Sequence, residues 1–429
     1  MTAATRRTVA LGPSAVAAAA AVDPAALAAD LVALVRMPSV TGSEDAIAAA
    51  LADRLESLGL AVEIFHPDPA AIREDPDWPG EEVARTTLPV VIGRAGRAGG
   101  RRLVLSGHVD VVPPGDPGTW TFDAFAGHIS GGDLYGRGAC DMKGGVASIL
   151  GAVRALGASG ALERLAGELV VALVPSEEDG GQGTLAAIRA GVTGDLAVIT
   201  EPSNLDIVVA HAGAITFRLT VPGRAAHASR RLEGVSALAN LQVLVAALEA
   251  DETRRNADET DPLMTALGLP YPTIIGMVAG GDWASTVMDR VTADGRYGVR
   301  MGQAPADAEA ELRACVAAAC EADPFLREHR ATVEITGARF ASCRVPPGDE
   351  LPMGLTAVAE AVTGRRPAAI GVPYGADMRL LVGVGETPCV IFGPGDVRLA
   401  HGADERVPLA EVEACARVLA AWVADELGA

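Results

Sequence analysis

The chain has 429 residues, of which 49% are hydrophobic and 21% are charged, and its formal net charge is −20. This length exceeds one typical hydrophobic core, so we expect two domains with large buried cores rather than a disordered chain. A nucleic-acid-binding protein would carry a basic stripe, and an integral membrane protein would carry a long apolar run. The sequence shows neither, so we expect no nucleic-acid partner and no membrane partner.

The cysteines and the first residues bear on where the protein resides. The six cysteines are scattered without a CxxC pair, which is typical of reduced cysteines in a cytoplasmic protein. The N-terminal stretch RRTVALGPSAVAAAAAVD is weakly similar to an export signal, because two arginines precede a short apolar run. Pro13 and the weakly hydrophobic alanines favour an Ala-rich extension or a first helical turn instead. We therefore expect a cytoplasmic location, with export as the alternative.

The first half of the chain alternates between helical and strand-like patterns. Helices are predicted from Asp23 to Pro38 and over 41–60, where Thr41 and Glu44 have capping-box spacing and Gly59 follows the end. A stretch rich in proline and acids, 68–86, is predicted as a loop, and further helices are predicted at 143–156 and 184–190. Apolar runs predict four strands: 88–93, 102–108, 168–175 and 195–200. Apolar strands that alternate with helices predict an α/β fold with a mainly parallel sheet flanked by helices.

The pattern changes near residue 210 and changes back near residue 345. The middle part has the order strand, helix, strand, helix, strand: 214–223, 233–251, 286–301, 305–322 and 331–340. This order predicts a small α+β, ferredoxin-like domain, residues 210–340, inserted into a catalytic domain formed by 1–209 and 341–429. The last part of the chain returns to the first pattern, with a helix, a strand and a helix: 350–363, 387–395 and 408–427.

Polar side chains that can bind metal follow the predicted strands. They lie in five segments: His108 and Asp110 in LVLSGHVDVVP, Asp141 in LYGRGACDMKGG, Glu177 and Glu178 in VPSEEDGG, Glu201 in VITEPS, and His401 in AHGADE. Each segment alone is more typical of a solvated turn or a helix cap. Together they would meet at the carboxyl edge of an α/β sheet. Two histidines and several carboxylates suit zinc or a similar divalent ion, and a shared carboxylate can hold two ions about 3.5–4 Å apart.

The motifs SGHVDVVP, LYGRGACDMKGG, PSEEDGGQGT, TEPS, GRAAHAS, YGADMR and GPGDVRLAHGADE span about residues 103–407. With them the chain resembles the zinc-dependent amidohydrolases and peptidases that include acetylornithine deacetylase, succinyl-diaminopimelate desuccinylase and glutamate carboxypeptidase. The resemblance implies two divalent ions, Zn²⁺ or alternatively Co²⁺ or Mn²⁺.

The same resemblance implies a role for each motif residue. One ion would be held by His108 and Glu201, the other by Glu178 and His401, with Asp141 bridging both. Asp110 would orient the imidazole of His108, and Glu177 would act as the general base. The resemblance also implies a cis peptide bond between Asp141 and Met142.

The resemblance further implies a homodimer formed through the inserted domain, which would act as a lid and dimerisation unit. His227 in GRAAHAS would reach the active site of the other subunit and donate to the oxyanion. Candidate substrate-binding residues are Arg300, Arg290, Gly375 and Ala376, although each arginine is more typical of a surface charge than of a ligand. Ser285 and Met288 stand where many members of the family have asparagine and proline, which puts a substrate contact by that asparagine in doubt.

Three functions fit these observations. The first is hydrolysis of the amide bond of a small N-acyl amino acid through a water shared by the two ions. The second is a dipeptidase or carboxypeptidase that uses the same centre. The third is an inactive relative that binds a ligand, which would have lost a metal ligand or the base. The sequence retains all of these residues, so we expect an enzyme.

Overall fold

The computed structural model describes residues 11–429, and the two arginines of the export-signal-like stretch lie outside them. The described helices are α1 Pro13–Ala20, α2 Pro24–Val35, α3 Asp45–Ser57, α4 Pro69–Arg73, α5 Gly144–Ala158, α6 Gln182–Arg189, α7 Ala237–Ala257, α8 Pro262–Thr265, α9 Pro305–Ala322, α10 Glu350–Thr363, α11 Met378–Gly383 and α12 Leu409–Glu426. The strands are β1 Ala61–Phe65, β2 Val90–Gly96, β3 Arg102–His108, β4 His128–Ser130, β5 Asp133–Tyr135, β6 Glu168–Val174, β7 Leu196–Ile199, β8 Ile207–His211, β9 Gly213–Pro222, β10 Thr273–Gly280, β11 Arg290–Val299, β12 Thr332–Phe340, β13 Cys343–Arg344, β14 Ala369–Val372, β15 Cys389–Ile391 and β16 Arg406–Pro408.

A nine-stranded sheet forms the centre of the larger part of the molecule. Its order is β1-β2-β6-β3-β7-β15-β8-β13, with β14 beside β8. The middle strands β6, β3, β7 and β15 run parallel, and antiparallel strands flank them. Every residue of β6 is buried, which is the burial expected of a strand covered on both faces. The predicted α/β class, with helices flanking a mainly parallel sheet, is confirmed.

The smaller part is a four-stranded antiparallel sheet in the order β10-β11-β9-β12. Its chain order is strand, long helix, the short helix α8, two strands, helix and strand, whereas the sequence predicted one strand between the two long helices. Four antiparallel strands with two long helices fit the ferredoxin-like class. Buried and less buried residues alternate along β9, and the buried ones join α7 and α9 in a hydrophobic cluster of their own. The strand β10 was not predicted, because it is an exposed edge strand in which buried and exposed residues do not alternate regularly.

Several local predictions needed correction. The capping box was wrong: Thr41 donates to Asp110 and Glu44 accepts from Arg85, so neither side chain caps α3. The loop predicted at 68–86 contains α4. The helix predicted from 233 begins at Ala237, because a short 3₁₀ helix occupies the residues before it.

Two further observations concern the ends of the helices and the cysteines. Gly59 has φ 92° and follows Leu58, the C-cap of α3, as predicted for a glycine just past the end of a helix. All six cysteines lie in the described region and are free. Within residues 11–429, no single helix is long and apolar enough to cross a membrane. The pair α1 and α2 passes a length and composition test together, but it is bent by 60°.

Candidate metal centre

Three neighbouring parallel strands place four metal-competent side chains at one edge of the large sheet. The strand β3 ends at His108, Glu177 and Glu178 follow β6, and Glu201 follows β7. Because β6, β3 and β7 are adjacent in the sheet, residues almost a hundred positions apart meet here. The turn after β6 places Ser176 at φ 70°, in the left-handed region.

A second element brings Asp141 to the same edge. Asp141 lies in a tight turn, Ala139–Lys143, directly before α5, and its peptide bond to Met142 is cis. The backbone N–H groups of Cys140 and Asp141 both donate to Glu405 Oε1, at 3.0 and 3.1 Å. This buried carboxylate therefore fixes the orientation of the turn.

The same carboxylate connects the turn to the loop that carries His401. Glu405 pairs with buried Arg137 at 2.5 Å, and Arg137 also donates to the backbone oxygen of His401 at 3.2 Å. His401 has φ 62°, a conformation that a histidine seldom adopts without such support. The Arg137–Glu405 pair thus holds both loops. Both residues lie in motifs quoted above, LYGRGACDMKGG and GPGDVRLAHGADE, but the sequence assigned a role to neither.

Asp141 lies between two histidines, each of which also faces a glutamate. His108 Nε2 is 3.1 Å from Asp141 Oδ1 and 3.5 Å from Glu201 Oε1. His401 Nε2 is 3.4 Å from Asp141 Oδ2 and 3.2 Å from Glu178 Oε2. The structure therefore brings together the five residues expected to hold metal, with Asp141 in the central place.

Asp110 supports this arrangement from behind. His108 Nδ1 lies 2.9 Å from the backbone oxygen of Asp110, so this nitrogen donates and Nε2 faces the site. The Asp110 carboxylate is fully buried and accepts from the backbone N–H groups of Glu177 and Glu178, at 3.1 and 3.2 Å. Thr41 Oγ1 donates to it as well, at 3.2 Å.

Burial and crowding shift the pKa values of the site. Burial, followed by the neighbouring Glu201, raises the pKa of Glu177 well above its usual range. Burial, with nearby Asp141, also raises the pKa of Glu178. For Asp141 burial acts in the same direction, but hydrogen bonds from both histidines outweigh it and lower the pKa. Hydrogen bonds to Asp141 and Glu178 raise the pKa of His401 to about 11.

The donor set fits divalent metal ions. Glu178 Oε1 is buried and has no hydrogen-bond partner among the described residues, so one ligand atom is left for another group. Two groups of side chains could each hold an ion: His108 with Glu177 and Glu201, and His108 with Asp141 and Glu178. Oxygen and imidazole nitrogen ligands of this kind suit zinc and similar dications.

A cavity of about 310 Å³ opens onto these residues and extends to the smaller sheet. Gly375 and Ala376, expected to contact substrate, line it. Three lining residues were not predicted: Tyr374, Phe340 and Arg296. The Arg296 guanidinium donates to Glu82 at 3.2 Å and lies 5.7 Å from the Phe340 ring.

The other predicted site residues lie away from the cavity lining. His227 is exposed, and its Nδ1 is 2.9 Å from Ser229 Oγ. Arg300 pairs with Glu311 of α9 at 2.5 Å, and Arg290 is exposed at the start of β11. Within the described chain, neither arginine lines the cavity.

This site at the carboxyl edge of an α/β sheet defines a metal-dependent hydrolase. A family model described as peptidase family M20/M25/M40 matches residues 104–425. The chain therefore belongs to this family, as the motifs indicated, and it is a hydrolase that acts on amide bonds.

Individual relatives cover nearly the whole chain. Succinyl-diaminopimelate desuccinylase from Methylobacterium sp. (strain 4-46) is 34% identical over 401 residues, 90% of this chain and 92% of the relative. The enzyme of the same name from Gluconacetobacter diazotrophicus is 31% identical over 413 residues, 92% and 95% of the two chains. The solved structure of the di-peptidase Dug1p from Saccharomyces cerevisiae matches with a TM-score of 0.73 over 97% of this chain and 99% of that one, at 16% identity. At that identity the likeness concerns the fold alone.

Proposed function

We propose that this chain is a dinuclear metal-dependent deacylase that cleaves the amide bond of a small N-acyl amino acid. The observation that carries the proposal is the position of Asp141 between His108 and His401, each beside its own glutamate. The similarity to two desuccinylases over at least 90% of the chain favours an acyl amino acid over a dipeptide.

In this proposal His108 and Glu201 would hold one ion, Glu178 and His401 would hold the other, and Asp141 would serve both. The ions are Zn²⁺, with Co²⁺ and Mn²⁺ as alternatives. Bound metal ions supply Lewis acidity, which polarises the amide carbonyl and makes water easier to deprotonate. The backbone oxygen of buried Asp110 accepts from His108 Nδ1, which directs the other ring nitrogen into the site. Its carboxylate accepts from the backbone N–H groups of Glu177 and Glu178.

Glu177 is the proposed general base. It takes a proton from the attacking water and delivers it to the leaving amine, which then departs as a neutral group. Its carboxylate is buried, with 8% of the residue exposed, so its neutral form is favoured and it can hold a proton for part of the cycle. Glu177 lines the cavity with the ligand residues, so it faces the space where substrate would bind.

We further propose that the unit 210–340 is an inserted lid through which the protein forms a homodimer. The edge strand β10 and its surroundings expose large apolar side chains, with exposed fractions of 56% at Ile274, 65% at Met277 and 73% at Trp283. An exposed apolar edge strand is a liability unless another chain covers it. In such a dimer, exposed His227 is free to donate to the oxyanion in the active site of the other subunit.

The substrate carboxylate is proposed to bind Arg296. This guanidinium lines the same cavity as the carboxylates of the metal centre, and among the described residues it donates one hydrogen bond, to Glu82. Arg300 is committed to Glu311, which makes it a weaker candidate. Gly375 and Ala376 offer backbone groups in the same cavity.

The test is a substrate panel with protein loaded with Zn²⁺ or Co²⁺. N-succinyl, N-acetyl and N-formyl amino acids are compared with dipeptides by following amine release. We expect hydrolysis of acyl amino acids that stops after chelation and returns with added metal. Exclusive hydrolysis of dipeptides would identify a dipeptidase instead, and loaded protein that cleaves no member of the panel would favour the inactive relative.

A further inference from the structure

The segment Pro79–Arg85 packs directly against the turn that carries Glu177 and Glu178. The backbone oxygen of Gly80 lies so close to Gly180 that a Cβ at Gly180 would meet it at 2.4 Å. The contact therefore leaves no space for a side chain at this glycine.

Arg85 makes a buried, charged contact between this segment and the turn. Its side chain is fully buried, and it donates to Asp179 Oδ1 at 3.1 Å and to Glu44 Oε1 at 3.2 Å. Asp179 follows Glu178 directly and also accepts from the backbone N–H of Val83 at 3.1 Å. The residue after the two catalytic-site glutamates is thus fixed by a buried cation.

The residue before them is fixed to the same carboxylate. Ser176 Oγ donates to Asp179 Oδ1 at 2.5 Å, so the side chain of Asp179 joins the two ends of the Glu177–Glu178 pair. On the opposite side, Asp110 accepts from the backbone N–H groups of both glutamates. The turn is therefore held from two sides, by Asp110 and by the Arg85–Asp179 pair.

A buried ion pair of this kind is weak support for stability, because removing two charges from water costs about as much as their attraction returns. What Arg85 does supply is orientation, because its planar guanidinium donates from Nη2 to Asp179 and from Nη1 to Glu44 and so fixes the two carboxylates relative to each other. Precise placement matters more at a general base than in a hydrophobic core, since small displacements of reacting groups reduce rates strongly.

We propose that Arg85 is a positioning residue for amide hydrolysis, which fixes the turn bearing Glu177 and Glu178 through Asp179. The proposal rests on the proposed role of Glu177 and adds a residue that contacts neither substrate nor metal. It assigns a function to a segment that the sequence indicated only as an acidic loop.

The experiment compares Arg85→Met, Asp179→Asn and the double variant with a control, Arg154→Met. Arg154 lies on α5, ten residues after the start of that helix, and its mostly buried side chain pairs with Asp30. Each protein is characterised by kcat and KM on the acyl amino acid and dipeptide panel, bound metal, unfolding temperature, and the visible absorption spectrum of the Co²⁺-loaded form.

We expect Arg85→Met and Asp179→Asn to lower kcat by about 10- to 100-fold, with KM and bound metal unchanged. Arg85→Met leaves two buried carboxylates, Asp179 and Glu44, without their cation, and the double variant neutralises the first of them. Its unfolding temperature should therefore recover in part while kcat stays low. The Co²⁺ spectrum should change in the three variants, because Glu178 lies on the displaced turn, and it should not change in Arg154→Met.

Two results would overturn the proposal. One is a wild-type kcat and Co²⁺ spectrum in Arg85→Met. The other is recovery of kcat together with unfolding temperature in the double variant, which would make the pair a purely structural element. If wild-type protein cleaves nothing in the panel, the proposed function fails, and the Co²⁺ spectra still decide whether Arg85 fixes the turn.

Discussion

The two ends of the cavity are built differently. At the metal end, side chains project from the ends of buried parallel strands and are held by further buried groups such as Asp110 and Glu405. At the other end, the smaller sheet contributes a half-exposed arginine, Arg296, between apolar neighbours such as Ile274. The proposed metal-binding groups are therefore interlocked and buried, whereas the proposed substrate-binding group is partly exposed to solvent.

This difference predicts where substitutions act. Changes at the metal end should alter the rate or the metal content, because its groups are buried and interlocked. Changes at the smaller sheet should alter KM and substrate preference. Three predictions test the division.

The largest effect is expected at the adjacent glutamates of the metal end. Glu177→Gln should lower kcat by about 100- to 10,000-fold, the usual contribution of a general base, while the bound metal stays constant. Glu178→Gln should instead lower the number of bound ions, because it removes a ligand. Metal analysis and kinetics on the two variants separate these roles. If Glu177→Gln loses bound metal, Glu177 is a metal ligand. Its position close to His108 and Glu201 also permits that role.

The meeting of three of the five predicted metal-binding residues could be expected from sequence, because His108 ends the apolar strand β3 and Glu178 and Glu201 follow β6 and β7. The other two, Asp141 and His401, lie in turns. An apolar segment that ends in His108 or is followed by Glu201 predicts a buried strand and a polar site residue at the same time. The supports of the site were not predictable in this way. Arg85 lies in a segment without regular spacing, and its partners Glu44 and Asp179 are about 40 and 90 positions away.

The substrate end illustrates a different limit. Arg290 and Arg296 lie on the same face of β11, since side chains alternate along a strand. Spacing therefore could not decide between them, and six residues at about 3.3 Å each separate them by about 20 Å. Only the position of the smaller sheet relative to the large one selects Arg296 for the cavity.

The second prediction concerns the pH dependence of stability at the metal end. Burial raises the pKa of Glu44 from 4.5 to about 7. The folded state therefore holds an extra proton between these values, and stability should fall as the pH rises from about 4.5 to 7. The fall attributable to this group is about 3 kcal/mol at most, at 1.36 kcal/mol per pKa unit.

Unfolding by urea at several pH values, in wild type and Glu44→Gln, isolates this contribution. The variant should lose less stability than wild type across the window, because glutamine cannot titrate. Glu328→Gln, at an exposed position of the smaller part, serves as the control and should follow wild type. Parallel curves for wild type and Glu44→Gln would contradict the prediction.

The smallest effect is expected at the substrate end. Arg296→Met should raise KM for an acidic acyl amino acid about tenfold, the cost of one charge-assisted hydrogen bond in a partly solvated site. Because the arginine is remote from the metal ligands, kcat and metal content should stay near wild type. Arg218→Met, which removes an exposed arginine paired with Asp294 on the neighbouring strand, is the matched control.

If Arg300→Met raises KM and Arg296→Met does not, Arg300, which the sequence indicated, binds the substrate carboxylate instead of Arg296. That result would require the smaller sheet to move relative to the large one when substrate binds, since Arg300 is turned to Glu311 in the present arrangement.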